Sequence, residues 1–185
     1  MWEHQSDGYS FWQNYFSDLG RTASWSGHGN PVASIPFNVS IGLLGLSQIP
    51  CFLCWNMLAP GSMKLLRAST VLGVLSALGI VGVGLTPVDT LPVGHTVAVS
   101  IWLVALVPAL GLYSVAALLS GRRAYWRFVL TILLAALASV HILQAMQPHT
   151  TAMVGTQKVL VYYIVAWFAA TGTEMHLRTR RVSVG

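Results

Sequence analysis

The residues of this chain that could support chemistry are few and lie near the ends of long apolar runs. Asp18, His95 and His141 combine one carboxylate with two imidazoles, and a catalytic zinc site uses three such protein ligands plus a water molecule. The two histidines could instead be axial ligands of a haem or another tetrapyrrole. The chain has no HExxH, HxxxH or GxSxG pattern, so no motif specifies a reaction. No cofactor is predicted, and zinc and a tetrapyrrole remain alternatives.

The same residues also have a structural interpretation, which we favour. A neutral imidazole at His95 could hydrogen-bond to Asp18 or Asp89 and hold together one end of a helix bundle. Asp18 could equally cap a neighbouring helix or pair with Arg21. In this interpretation none of these residues is catalytic.

Composition identifies the class of protein that positions these residues. Of the 185 residues, 55% are hydrophobic and 8% are charged, and the mean hydropathy is +0.65. Soluble domains carry about 25% charged residues, so a water-soluble fold is excluded. The net charge of +5 does not indicate a nucleic-acid partner, because the ten lysines and arginines form short clusters between apolar runs. Two cysteines are too few for a disulfide framework.

Five segments have the roughly 20 mostly apolar residues that a transmembrane helix needs. They cover residues 32–58, 65–85, 93–119, 125–146 and 156–175. The predicted fold is therefore all-α, a polytopic membrane bundle of about five transmembrane helices. We divide the chain into an external, interfacial aromatic segment (1–31), the bundle (32–177) and a basic cytoplasmic tail (178–185).

The placement of lysine and arginine predicts the orientation, because cytoplasmic loops carry an excess of them. The second loop, residues 86–92, has neither residue, and the fourth has only Lys158 at its edge. The first loop, the third loop and the C-terminal stretch are basic, through Lys64, Arg67, Arg122, Arg123, Arg127, Arg178, Arg180 and Arg181. We therefore expect an external N-terminus and a cytoplasmic C-terminus.

The N-terminal segment is unusually aromatic for an external tail. Tyr9, Trp12, Phe16 and Leu19 recur at helical spacing, which predicts one aromatic face. Such a helix could lie in the outer headgroup region of the membrane. Alternatively, the aromatic side chains cover the outer end of the bundle.

Several short segments together carry a resemblance to a known family. They are Gly8-Tyr9-Ser10, residues 14–22 (NYFSDLGRT), Phe37-Asn38, residues 82–89 (GVGLTPVD) running to His95, and Gln157-Lys158 before a helix containing Trp167. This pattern resembles a prokaryotic multi-pass family called domain of unknown function nine-nine-eight, which is distantly similar to the Frag/DRAM/Sfk membrane proteins. The resemblance covers most of the chain. It implies a helical fold in a prokaryotic plasma membrane and no particular reaction.

The family pattern includes a further span ahead of Ser17-Asp18-Leu19-Gly20, and this sequence lacks it. Either the true start lies upstream, or the helix is lost and something else fills its place. Ser69, Gly73 and Ala77 form a stripe of small residues on the second span, where helices can approach closely. The stripe packs within the bundle or, if the first family helix is absent, accepts another protein.

These observations favour a non-enzymatic membrane protein, an accessory or structural subunit that packs against a larger membrane complex. Its partners would be the lipid bilayer and other membrane subunits, without nucleic acid. The first alternative is a metal-dependent hydrolase acting on lipid at the outer leaflet. A small transporter, or a haem- or pigment-binding protein, is the third possibility.

Overall fold

The computed structural model describes residues 9–55, 62–119, 125–145 and 151–183. Within this part of the chain the backbone forms five α-helices, one short 3-10 helix and no β-sheet. The helices are α1 (Pro31–Leu53), α2 (Met63–Leu85), α3 (Pro92–Leu119), α4 (Tyr125–Ala145) and α5 (Thr151–Ser183), and the 3-10 helix covers Phe16–Gly20. The prediction of an all-α helix bundle is confirmed.

Four of the helices are long and apolar enough to cross a membrane. Their qualifying segments are Pro31–Leu53, Met63–Leu85, Pro92–Leu119 and Ala152–Leu177. The remaining helix, α4, has 21 residues, and its described apolar stretch, Phe128–Gln144, is shorter. These lengths support a multi-pass membrane protein.

The helix bounds agree closely with the predicted spans at α2 and α3. Helix α5 extends beyond the predicted fifth span on both sides, because it begins at Thr151 and continues to Ser183. The predicted ends of the first and fourth spans (residues 58 and 146) and the loop residues Arg122 and Arg123 lie outside the described residues.

Helix α2 lies between α1 and α3 and packs closely against both. A Cβ atom added to Gly45 of α1 would lie 2.8 Å from the carbonyl oxygen of Ala77. A Cβ atom added to Gly79 would lie 2.6 Å from the backbone nitrogen of Trp102 on α3. The Ser76 hydroxyl donates to the Trp102 carbonyl oxygen (3.0 Å). Glycine therefore allows the backbones of the three helices to approach closely at these positions.

The small-residue stripe of α2 lies inside this contact. Ser69, Gly73 and Ala77 are all buried. The Ser69 hydroxyl donates to the Ala109 carbonyl oxygen on α3 (2.7 Å), and the Phe52 ring of α1 packs directly over Gly73. Both neighbours of the stripe thus belong to the same chain.

At the end of the bundle where α1 and α3 finish, buried aromatic rings fill the space between the helices. We call this the aromatic end. Neighbouring rings there have centroids between 4.4 and 6.3 Å apart, with several edge-to-face pairs. The rings are those of Phe52, Trp55, Tyr113, Trp167 and Phe168. Such pairs add to the stabilisation gained from burying the ring surface.

Residues 9–30, here called the cap, cover the opposite end of the bundle. The amphipathic helix predicted from the spacing of Tyr9, Trp12, Phe16 and Leu19 is wrong, because the cap contains turns, the 3-10 helix and an isolated β-bridge. Trp12 is 67% exposed, whereas Phe16 stacks on Phe37 of α1 (6.1 Å between centroids). The alternative prediction, that these aromatic side chains cover the end of the bundle, is correct for Phe16.

Local hydrogen bonds explain why the cap does not form one helix. The Asn14 side chain accepts a bond from the Ser10 backbone N–H (2.7 Å). The Asp18 carboxylate accepts one from the Tyr15 backbone N–H (2.7 Å). Short polar side chains that bond nearby backbone groups compete in this way with a helical hydrogen-bond ladder.

Candidate ligand-binding site

The cap is fixed to the start of α5. The side chain of Lys158 is only 2% exposed. Its ammonium group lies 4.8 Å from the centroid of the Phe11 ring in the cap. Hydrogen bonds run from Phe16 N–H to Gln157 Oε1 (2.8 Å), from Tyr15 OH to Met153 Sδ (2.9 Å) and from Lys158 Nζ to the Asn14 carbonyl oxygen. The buried Lys158 therefore bonds to the cap, and it does not line either of the cavities described below.

A second attachment holds the cap to the loop between α2 and α3. The Asp89 carboxylate accepts hydrogen bonds from Thr22 N–H (3.1 Å), Thr22 Oγ1 (2.7 Å) and Ala23 N–H (2.9 Å). Burial acts to raise the pKa of Asp89, but the hydrogen bonds from Ala23 and Thr22 outweigh it and lower the pKa below its ordinary value. The charged form of Asp89 therefore holds the cap.

Two adjoining cavities lie beneath the cap. The larger, which we call the vestibule, has a volume of about 380 Å³. The smaller, the inner cavity, has about 50 Å³ and reaches Leu44 and Trp102 in the middle of the bundle. The wall that both cavities share consists of Ser17, His95, Val99, Leu103, His141 and Gln157. The fold therefore brings both predicted histidines to one place, from different helices.

His95 has a defined hydrogen bond on one side of its ring. Its Nδ1 lies 2.7 Å from the carbonyl oxygen of Thr86. A carbonyl oxygen can only accept, so Nδ1 carries the proton and Nε2 of the neutral ring keeps its lone pair. The bond expected from His95 to Asp18 or Asp89 is replaced by this one, because the turn after α2 brings the Thr86 carbonyl to the start of α3.

His141 is anchored in a similar way. Its Nδ1 lies 3.2 Å from Oγ1 of Thr156 on α5. The single hydroxyl proton of Thr156 is used by Gln144 Oε1 or by the Met153 carbonyl oxygen, so Oγ1 accepts from the ring. His141 therefore also keeps a lone pair on Nε2.

Gln157 supplies a donor to the shared wall. Its Oε1 accepts from the Phe16 backbone N–H, which can only donate, so the NH₂ group is the end of the side chain that is left for another partner. Together with the Ser17 hydroxyl, the wall has two acceptors and two donors among apolar side chains. A small number of fixed polar groups in an apolar cavity is the usual design of a small-molecule site.

Asp18 lies outside this wall. Its carboxylate bonds the Tyr15 backbone N–H and attracts the Lys158 ammonium, and it does not line either cavity. Among the residues that the structure describes, no three His, Cys, Asp or Glu side chains come close enough to hold a metal ion. The predicted set of Asp18, His95 and His141 is therefore divided between the cap attachment and the cavity.

Four residues of this site were not predicted from the sequence. Ser17 and Gln157 line the cavities, and Thr86 and Thr156 orient the two histidines. Three of the four, Ser17, Thr86 and Gln157, lie in the segments that carry the family resemblance. Their position in those segments was the one feature of the sequence that pointed to them.

No family model, no curated protein and no solved structure matches the chain.

Proposed function

We propose that this membrane protein binds an amphipathic lipid in the vestibule beneath the cap. The observation that carries the proposal is that exposed apolar residues of two helices line the vestibule. Val104 of α3 lines it and is 67% exposed, and Ile142 of α4 lines it and is 39% exposed. In a membrane such apolar, exposed helix faces contact acyl chains. A lipid can therefore reach the two histidines from within the bilayer.

The packing of the helices supports such access. Helix α3 packs much more extensively against α2 than against α4. The vestibule of about 380 Å³ falls in the range of about 300–1,000 Å³ that is typical of ligand pockets. Its walls combine apolar side chains with hydrogen-bonding ones, which suits a ligand with an apolar part and a polar end.

Photocrosslinking tests this function. Purified protein is labelled with two lipids that carry the same diazirine-bearing acyl chain, a diacylglycerol and a phosphatidylcholine, and mass spectrometry locates the label. We expect at least one of the two lipids to label the peptides that line the vestibule, including Ile142 and Met153. Val104→Trp should abolish this labelling, because the indole would fill this part of the vestibule.

The matched control is Val71→Trp on α2. Val71 is 68% exposed, almost the same as Val104, but lines neither cavity. Labelling in this variant should equal that of the unmodified chain. Uniform labelling of all lipid-facing helices, with no enrichment at the vestibule, would contradict the proposed function.

An accessory-subunit role is compatible with lipid binding and is our second candidate. Helix α1 supports a role as a subunit, because only 17% of its most apolar segment is buried within the chain. Its exposed apolar residues follow one face: Val32, Ile35, Val39, Leu43 and Leu46. Purification from native membranes in a mild detergent tests the role, and recovery of a lone, stable monomer would count against it.

The alternative of a metal-dependent hydrolase receives less support. It needs a third ligand beside His95 and His141, and Asp18 lies outside the cavity wall. Elemental analysis of the purified protein tests this alternative directly, with near-stoichiometric zinc as the outcome in its favour.

A further inference from the structure

We infer that the lipid has a neutral, hydroxyl-bearing headgroup, as in a diacylglycerol, and not a phosphate. The inference rests on the proposed function and specifies the ligand of the same cavity. The juxtaposition that carries it is a pair of anchored imidazoles, His95 and His141, on the shared wall beside the Gln157 amide.

The first argument concerns hydrogen-bond direction. Thr86 and Thr156 fix the proton of each neutral ring on Nδ1, so Nε2 of a neutral ring accepts. A ligand that bonds to either Nε2 atom must donate the hydrogen bond. The hydroxyl of a diacylglycerol donates its single proton to one of the two, whereas an ionised phosphate has only acceptors.

The second argument concerns charge. No lysine or arginine is among the described residues that line either cavity. The nearest cations of the cap region are used elsewhere, since Lys158 bonds the Asn14 carbonyl oxygen and Arg21 lies 3.9 Å from the centroid of the Trp25 ring. A phosphate in this apolar cavity would lose its water without gaining a lysine or arginine as a countercharge, which is costly.

The third argument concerns the remaining donors. The Gln157 NH₂ group and the Ser17 hydroxyl lie on the same wall as the two imidazoles. The ester carbonyl oxygens of a diacylglycerol accept hydrogen bonds, so the amide complements the part of the lipid next to its hydroxyl. The wall thus matches both polar functions of one neutral glycerolipid.

Competition against the diacylglycerol photoprobe tests the headgroup. Dioctanoylglycerol, dioctanoyl phosphatidic acid and free glycerol are each titrated against labelling of the unmodified protein. We expect dioctanoylglycerol to compete at a concentration at least about tenfold below that of the phosphatidic acid, a difference of about 1.4 kcal/mol. Glycerol should not compete, because it lacks the acyl chains that the vestibule buries.

Two histidine variants sharpen the test. The double variant His95→Leu/His141→Leu removes both acceptors and should weaken competition by dioctanoylglycerol about fivefold, the value of one net hydrogen bond. His176→Leu makes the same substitution at an exposed position of α5 outside the cavities and should change nothing. The comparison of lipids on the unmodified protein stands even if the double variant does not fold.

The outcomes separate this inference from the proposed function. Equal or better competition by phosphatidic acid overturns the neutral headgroup and leaves lipid binding intact. Unchanged competition by dioctanoylglycerol in the His95→Leu/His141→Leu variant does the same. Competition by free glycerol overturns a lipid as the source of the hydroxyl. If no lipid competes and the vestibule is not labelled, the proposed function itself is contradicted.

Discussion

At the aromatic end, rings from three helices fill the interior, whereas at the capped end the same bundle leaves cavities lined by histidines and an amide. At the aromatic end the rings pack closely, but some of their hydrogen-bonding groups stay unsatisfied. The buried indole N–H groups of Trp55 and Trp167 have no partner among the described residues. At the capped end, in contrast, Thr86 and Thr156 orient two imidazoles by hydrogen bonds. One end thus provides the packing that stabilises the bundle, and the other gives up packing to present polar groups.

The largest effect that would test this contrast is expected from Trp55→Ala. Trp55 is completely buried and contacts Phe52, Tyr113 and Trp167, so its loss should lower the free energy of unfolding by about 3–5 kcal/mol. Denaturation in detergent micelles measures the change. Trp12→Ala, at an exposed position of the cap, should cost less than about 0.5 kcal/mol. Equal costs for the two variants would contradict the contrast.

A smaller effect is expected at the contact between α1 and α2, which connects the two ends. In Gly45→Ala the new methyl group would lie 2.8 Å from the Ala77 carbonyl oxygen and the Val81 nitrogen, and the strain should cost about 1–3 kcal/mol. Gly42→Ala is the matched control on the same helix. A Cβ atom at Gly42 meets nothing within 4 Å, and alanine favours a helix over glycine by up to about 1 kcal/mol. If Gly45→Ala and Gly42→Ala had the same free energy of unfolding, the close contact of α1 with α2 at Gly45 would not contribute to stability.

The smallest effect is expected at the cap. Asp89→Asn removes the charge that accepts bonds from Thr22 and Ala23, and should lower the local opening free energy of these amides by about 1 kcal/mol. Hydrogen exchange of the two amides measures the opening. The free energy of unfolding of the whole bundle should change less than in Trp55→Ala.

The lowered pKa of Asp89 gives this effect a pH dependence. The stabilisation is fully present above the ordinary carboxyl value of 3.8 and is lost as the pH falls through the lower value in the folded protein. Protection of the Thr22 and Ala23 amides should therefore be constant from neutral pH down to about 4 and decrease below it. In Asp89→Asn this decrease should disappear, and its persistence would assign the pH dependence to another group.

The sequence predicted the helices well because their signal is local. Apolar length and a few bounding polar or proline residues identify a span, and Leu85 was placed correctly as a helix limit. The shape of the cap was not predictable in the same way. The helical spacing of its aromatics was real, but Asn14 and Asp18 bond the backbone and break the helix.

The site was predictable only in part, for a different reason. His95 and His141 stood out as rare ionisable groups in apolar helices, and the fold brings them to one wall. Asp18 stood out equally, but its role depends on Lys158, which is distant in sequence. Which polar groups share a wall is decided by contacts between helices, and composition and spacing do not contain that information.

The attachment of the cap to α5 also has a consequence for biogenesis. The bonds from Asn14, Tyr15 and Phe16 reach partners 144, 138 and 141 positions later in the chain. A ribosome makes the cap first and its partners on α5 last. The cap is therefore synthesised before its partners on α5, with four helices between them, and these attachments can form only after the start of α5 has been made.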